Sequence, residues 1–136
     1  MKLVMTFGSF DLIHPGHLYY LKKSKKHGDK LIVGVATDKS ILEIKGKKPL
    51  YNEKERLLEV KNLNIADEVI LGNDKGSVYD ILEEIKPNII CLGYDQKPSN
   101  EELKKELKLR KINAEIIRIS SFNPEKYKSS KLKNIN

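Results

Sequence analysis

The chain has 136 residues and a net charge of +7, with 26 Lys and Arg against 19 Asp and Glu, three histidines, one cysteine and no tryptophan. That length suits one domain, 1–136, with a three-layer core. No run reaches the roughly 18 apolar residues that would span a bilayer, and Met1-Lys2 leads directly into a strand-like run, unlike a secretory leader. Cys91 stands alone inside an apolar run, which excludes an internal disulfide and a cysteine-built metal site and suits a buried thiol in a cytoplasmic protein.

Lys2 to Phe7 reads as a central buried strand. Gly8 to His17 follows as a tight turn and helix start. Leu18 to Lys26 is predicted as the first helix, with Leu18 and Leu21 toward the sheet and Gly28 as its C-cap. Leu31 to Ala36 is the second strand, with Thr37-Asp38 at its end, and Ser40 to Ile44 is a short helical turn. Lys45 to Leu50 is a basic loop. Asn52, with Glu55 three residues on, forms a capping box for a helix carrying Leu57, Leu58, Val60 and Leu63. Glu68 to Leu71 is strand three, Val78 to Ile85 a helix stopped by Pro87, and Asn88 to Leu92 strand four. Gly93 to Gln96 leaves that strand, Ser99 caps a helix to about Lys111, and Ala114 to Ile119 is strand five. Ser129 to Ile135 has room for only a short last helix.

Strands alternating with helices predict a parallel α/β sheet with right-handed crossovers; the expected architecture is a single Rossmann-like domain with a five-stranded parallel sheet in order 3-2-1-4-5 and helices on both faces. In such sheets ligands lie beyond the C-terminal strand ends. The stretch after strand one, Asp38 after strand two and Gly93 to Gln96 after strand four are therefore expected to converge.

The stretch Gly-Ser-Phe-Asp-Leu-Ile-His-Pro-Gly-His, residues 8 to 17, carries the chemistry. A strand-to-helix turn directs backbone N–H groups and a helix dipole at one point, which suits a phosphate. Gly8 permits close backbone approach, and Pro15 fits the first helical turn. His14 and His17, three apart, lie on one side near the helix N-terminus. Two imidazole donors beside a phosphate cradle suit phosphoryl transfer; without the surrounding string, two helix-capping histidines would be the simpler reading.

His14-Pro15-Gly16-His17 after Gly8-Ser9-Phe10-Asp11 resembles the HxGH signature of the cytidylyltransferase-like nucleotidyltransferases. The resemblance implies nucleotidyl transfer, in which a substrate phosphate attacks the α-phosphate of a nucleoside triphosphate and pyrophosphate leaves. His14 and His17 would then stabilise charge on the phosphate oxygens, with Gly8, Ser9, Phe10 and Gly16 in the cradle. Mg²⁺ or another divalent cation would accompany the triphosphate, without a dedicated protein cage. Asp11 is the nearest carboxylate to such a cation, and caps the turn backbone in the alternative reading. Lys128-Ser129-Ser130-Lys131 resembles the family's second element, in which Ser129 and Ser130 hold the outer phosphates. It departs from the stricter form in having Lys133 where arginine often stands, and by itself it would read as a lysine-serine tail. Lys45, Lys47, Lys48 and Arg56 match basic residues around the triphosphate, although each lysine singly reads as a solvated charge. Asp38 and Asp67 fall where relatives carry aspartates, Asp67 equally reading as structural. Gly93 and Asp95 belong to the strand-four exit, and Tyr94, Phe122 and Tyr127 lie in loops where an aromatic ring can stack on a base or a flavin.

Within that family, Cys91 to Lys97, together with Ile117-Arg118-Ile119-Ser120 and the serine pair, looks most like the compact archaeal-type FAD synthases. That branch implies AMP transfer from ATP to FMN. The alternative branch uses CTP and glycerol 3-phosphate or a similar alcohol phosphate, and a non-catalytic nucleotide- or RNA-binding module is the alternative of another class. The lysines are interspersed with glutamates and form no arginine-rich stripe, so neither nucleic acid nor membrane is expected as a partner. Relatives are commonly dimers, which makes a homodimer an expectation by resemblance.

Overall fold

Every second residue of the central strands points to the same side, and that alternation divides the core in two. The computed structural model describes residues 1–73 and 78–120. Five parallel strands, β1 (Leu3–Gly8), β2 (Lys30–Val35), β3 (Glu68–Leu71), β4 (Ile89–Gly93) and β5 (Glu115–Ile119), stand in the order β3-β2-β1-β4-β5. The expected 3-2-1-4-5 order is borne out. Val4, Leu31, Val33, Val35, Ile89 and Cys91 face one side with Leu21 and Val60; Met5, Ile32, Ile90 and Leu92 face the other with Leu82, Leu103 and Leu107. The first side is covered by α1 (Pro15–Lys25) and α3 (Glu53–Asn62), the second by α4 (Val78–Ile85) and α5 (Asn100–Leu109). Burying each such large apolar side chain contributes about 1.5–3 kcal/mol.

The helix ends differ from the sequence expectations for identifiable reasons. α1 begins at Pro15, three residues before the expected Leu18, because His14 is its N-cap. It ends at a right-handed Lys26, so Gly28 is not a left-handed cap; a Cβ there would lie 2.5 Å from Val4 Cγ2 and 2.8 Å from Lys2 O. α2 (Asp38–Lys45) is a full two turns, because Thr37 caps its start and Gly46, at φ 75°, terminates it. The α3 capping box of Asn52 and Glu55 is present as expected. On that helix Arg56 and Val60 are buried, while Leu58 is 56% exposed.

The β1–β4 ladder stops at Thr6 and Cys91, whereas β1 stays paired with β2 through Gly8 and Val35. The two central strands therefore part at their C-terminal ends, where strand order reverses. Such a crevice is the general ligand position in open parallel sheets.

Candidate active site

The crevice opens onto the turn after β1. His14 Nδ1 accepts from Gly16 N at 3.0 Å, and His17 Nδ1 accepts from His14 N at 3.2 Å. Each imidazole thus spends Nδ1 as an acceptor on the helix end. A neutral imidazole accepting at Nδ1 carries its proton on Nε2, so capping sets both rings with an Nε2–H donor turned outward. The rings lie 4.0 Å apart between centroids, tilted by 31°, and Phe10 packs 5.4 Å from His17. Burial, reinforced by His14, pushes His17 down to about 4, so it is a neutral donor at physiological pH. Gly16 permits this geometry, because a Cβ there would lie 2.8 Å from His14 Cε1. The histidines are therefore helix caps and outward donors at once.

Gly8 ends β1 directly under the Phe10 ring, where a Cβ would lie 2.7 Å from the ring edge. Phe10 has φ 51°, a left-handed conformation that costs a bulky residue on the order of 1–3 kcal/mol. Two clamps hold the turn. Asp11 accepts from Leu50 N at 2.8 Å and Tyr51 N at 2.9 Å, committing both carboxylate oxygens to the main chain. Burial works against its ionisation, but the Tyr51 and Leu50 amides, with Arg56 and Lys45, hold the carboxyl below its usual range. The second clamp is Arg56, which is fully buried and donates to Ser9 O, Ala36 O, Tyr51 O and Asp38 Oδ1 at 2.7–2.9 Å.

On the α4–α5 side of the sheet, a cavity of about 660 Å³ adjoins this turn. Its walls are mostly apolar, including Phe7, Ile41, Ile44, Leu82, Leu92 and Leu103. Gly8, Ser9, Lys45 and Gln96 also line it, and Lys45 Nζ lies 3.5 Å from Ser9 Oγ. The histidines do not line the cavity; Gly8 and Ser9 connect it to them.

The β4 exit forms the remaining wall. Gln96 donates from Nε2 to Phe7 O at 2.9 Å, and its Oε1 accepts from Gly93 N at 3.0 Å and Tyr20 OH at 3.3 Å. Tyr20 also donates to Cys91 O at 2.9 Å. One amide thus serves main-chain groups left over where the β1–β4 ladder stops. Arg118 donates to Gly93 O, Gln96 O, Pro98 O and Asn100 Oδ1 from the other side.

The structure therefore brings Gly8, Ser9, Phe10, Gly16, His14, His17 and Lys45 together, with Gly93 across the crevice. Lys47 and Lys48 are exposed on the segment after α2, and Tyr94 and Asp95 are exposed on the β4 exit. Asp38 is spent on Arg56. Asp67 accepts from Leu31 N at the opposite end of β2, far from the crevice in the strand direction, and pairs with Lys25. Phe122, Tyr127, Ser129 and Ser130 lie outside the described residues. Sequence reasoning did not single out Gln96, Tyr20 or Arg118 as site-building residues. The available signal was an arginine among the isoleucines of the strand Glu115–Ile119. Cys91 is buried, and burial pushes its thiol up to about 11, as befits an inert packing residue.

Among the described residues, no cluster of His, Cys, Asp and Glu could hold a metal ion, and no helix is long and apolar enough to cross a membrane. Outward imidazole donors at the helix after β1, beside a ligand-sized cavity, place the protein among the Rossmann-like nucleotidyltransferases. The chain belongs to the cytidylyltransferase-like family, whose model matches residues 5–135. It is similar to an FAD synthase of Thermococcus sibiricus, at 44% identity over 126 residues, covering 93% of this chain and 82% of that protein. An FAD synthase of Methanothermus fervidus is 47% identical over 121 residues, covering 87% and 82%. The crystal structure of a protein of Thermoplasma volcanium, described as a lipopolysaccharide core biosynthesis protein, matches with a TM-score of 0.84 at 42% identity, covering 90% of this chain and 99% of that one.

Proposed function

We propose that this protein transfers AMP from ATP to FMN, forming FAD and releasing pyrophosphate. The observation that carries the reading is the pair of capped imidazoles beside an apolar cavity, joined to it through Gly8 and Ser9. FAD synthases similar to this chain over most of its length point to the same acceptor. A cavity of this size, mostly apolar with a few polar groups at one edge, suits a flat ring system carrying a phosphate arm.

In this reading an oxygen of the FMN phosphate attacks the α-phosphorus of ATP, the bond to the β-phosphate oxygen breaks, and pyrophosphate leaves. No side chain is covalently modified. The protein positions the two phosphates and meets the charge that develops. His14 and His17 donate from Nε2 to oxygens of the reacting phosphates. Gly8, Ser9, Phe10 and Gly16 form the cradle, with Lys45, Lys47 and Lys48 beside the outer phosphates. Ser129 and Ser130 bind the β- and γ-phosphates, and Gly93, Tyr94 and Asp95 flank the nucleoside.

A divalent cation accompanies the triphosphate, and we assign Mg²⁺. The donor set fits a cation carried in by the substrate, since both Asp11 oxygens are committed to amides and Asp38 to Arg56. When bound, the cation neutralises polyphosphate charge; the residues named above bind and orient the substrates around it. The protein acts in solution on these two small molecules, as a homodimer and without nucleic acid.

The test is FAD formation from FMN with either ATP or CTP and Mg²⁺, followed by chromatography with pyrophosphate release as a second channel. FAD is expected with ATP. Absence of flavin product with both nucleotides overturns the FMN assignment; CDP-glycerol formation from CTP and glycerol 3-phosphate would replace it.

A further inference from the structure

Among the described residues Arg56 is the one charged residue with 0% exposure, and its position conflicts with direct phosphate contact. Its Nη1 donates to Ser9 O and Ala36 O, Nε to Tyr51 O and Nη2 to Asp38 Oδ1. Four of the five guanidinium N–H groups are thereby used. The side chain is 1% exposed, so no face is open to a polyphosphate.

The bond to Ser9 O has a geometric consequence. In a trans peptide the C=O and the following N–H point in opposite directions. A guanidinium gripping Ser9 O from the buried side turns the Phe10 N–H away from itself. The left-handed φ of Phe10 belongs to the same arrangement, and successive amides around a left-handed residue form an anion-binding nest. Among the described residues, no acceptor pairs with the amides of Ser9, Phe10 or Asp11. The Phe10 ring also packs on His17, 5.4 Å between ring centroids, so the residue that turns the nest also touches an imidazole donor.

We propose that Arg56 is a positioning residue: it orients the Ser9–Phe10 peptide so that the Phe10 N–H receives an oxygen of the nucleotide's phosphates, and it makes no contact with the nucleotide itself. The inference rests on the nucleotidyl-transfer reading and deepens it, because the phosphate cradle becomes a main-chain nest locked from behind. Asp38 balances the buried charge, while the Ala36 and Tyr51 carbonyls anchor the same side chain to β2 and to the entry of α3.

The test is a titration of the wild-type protein with inorganic tripolyphosphate and Mg²⁺, read by ¹⁵N–¹H spectra covering both backbone amides and arginine Nε–H groups. The Phe10 amide is expected to move on saturation while Arg56 Nε–H stays in place. Movement of Arg56 Nε–H with a stationary Phe10 amide would overturn the proposal and restore direct contact. No resonance moving anywhere, together with no FAD formed from ATP and FMN, would remove the underlying reading and this inference with it. Shifts elsewhere, with Phe10 and Arg56 both unmoved, would sink the inference alone. Arg56→Lys keeps the charge but cannot span four separated oxygens. In a folded variant the Phe10 shift should vanish and kcat should fall about 10²-fold, the usual cost of a lost preorganised donor. A KM for ATP changing much less than kcat would accompany that result, whereas unchanged kcat with a retained Phe10 shift would overturn it.

Discussion

Two arginines brace the two sides of the crevice, and they do so differently. Arg56 ties the exits of β1 and β2 from inside, fully buried, with Asp38 as its counter-ion at 2.8 Å. Arg118 ties the exit of β4 from the edge, half-buried, through three carbonyls and the Asn100 amide oxygen. No ion pair joins Arg118 to a carboxylate among the described residues. One arginine is therefore neutralised within the scaffold, while the other leaves its positive charge at the mouth of the crevice. Arg110, the third, links α4 and α5 through Asp80, Glu83 and Glu106. The planar guanidinium fork suits the bracing of several carbonyls at once, which the point charge of a lysine does not.

The β1 side should dominate catalysis. His14→Ala or His17→Ala is expected to lower kcat for FAD formation by about 10²–10³-fold. Each change also removes a helix cap, so a modest fall in Tm of a few degrees should accompany it. A folded variant with near-normal turnover would shift the chemistry away from the imidazoles.

The braces differ in what their loss should cost. Asp38→Asn leaves the buried Arg56 charge without its partner and is expected to cost about 1–3 kcal/mol. Asn100→Ala removes one neutral acceptor from a half-buried Arg118, for about 1 kcal/mol or less. Urea unfolding of the two variants side by side measures the difference directly. Equal losses would mean that the two braces are energetically alike and that the contrast in burial has no thermodynamic weight.

Much of this architecture could be read before the structure, and the gaps have physical causes. The parallel α/β sheet followed from alternating strands and helices, and the α3 start from the Asn52 and Glu55 pair. In sequence His14, Pro15 and His17 fall at a helix start, yet the first helix is drawn only from Leu18, because histidine is an uncommon cap; here the same atoms cap the helix and orient the donors. Arg56 groups with the basic residues around the triphosphate because it follows the basic loop at family spacing, which does not foretell its full burial. A contrary signal was present: Arg56 stands four residues before Val60, on the buried stripe of α3. The cavity's place beyond the strand ends was expected, but its apolar walls were not legible, since they come from β1, β2, β4 and three helices that only folding brings together. Gln96 was hidden for a related reason, as its role depends on where the β1–β4 ladder ends.

Acid should separate catalysis from stability on the β1 side. His17 is held down to about 4 when folded, while an unfolded histidine titrates near 6.5. Between those values the unfolded chain binds a proton that the native state refuses, so stability falls as pH drops from about 6.5 toward 4. Asp11 and Asp67, whose carboxyls are held low in the fold, add their own losses at the acid end of that window. Chemical unfolding at pH 7.5, 6.0 and 5.0 should show the decline, and His17→Gln should flatten its upper part. The kcat profile should show no acid limb near 6.5 attributable to His17, because its Nε2–H remains in place. An acid limb at that pH, absent from His17→Gln, would mean that His17 works as a cation.

One effect of opposite sign is expected beneath the site. Thr6 is wholly buried on the last paired position between β1 and β4, and no partner among the described residues reaches its Oγ1. Its methyl group packs as part of the apolar face, while its hydroxyl has exchanged water for nothing. A buried donor left without a partner costs roughly 1–3 kcal/mol, so a same-shaped residue without the hydroxyl should be neutral or stabilising. Thr6→Val is therefore expected to raise Tm by a few degrees. Activity should change little if the hydroxyl has no part in shaping the crevice. A loss of Tm would show that Oγ1 is satisfied in solution. A loss of activity at unchanged Tm would instead extend the bracing of the crevice one residue further back along β1, behind Phe7 and its bond to Gln96.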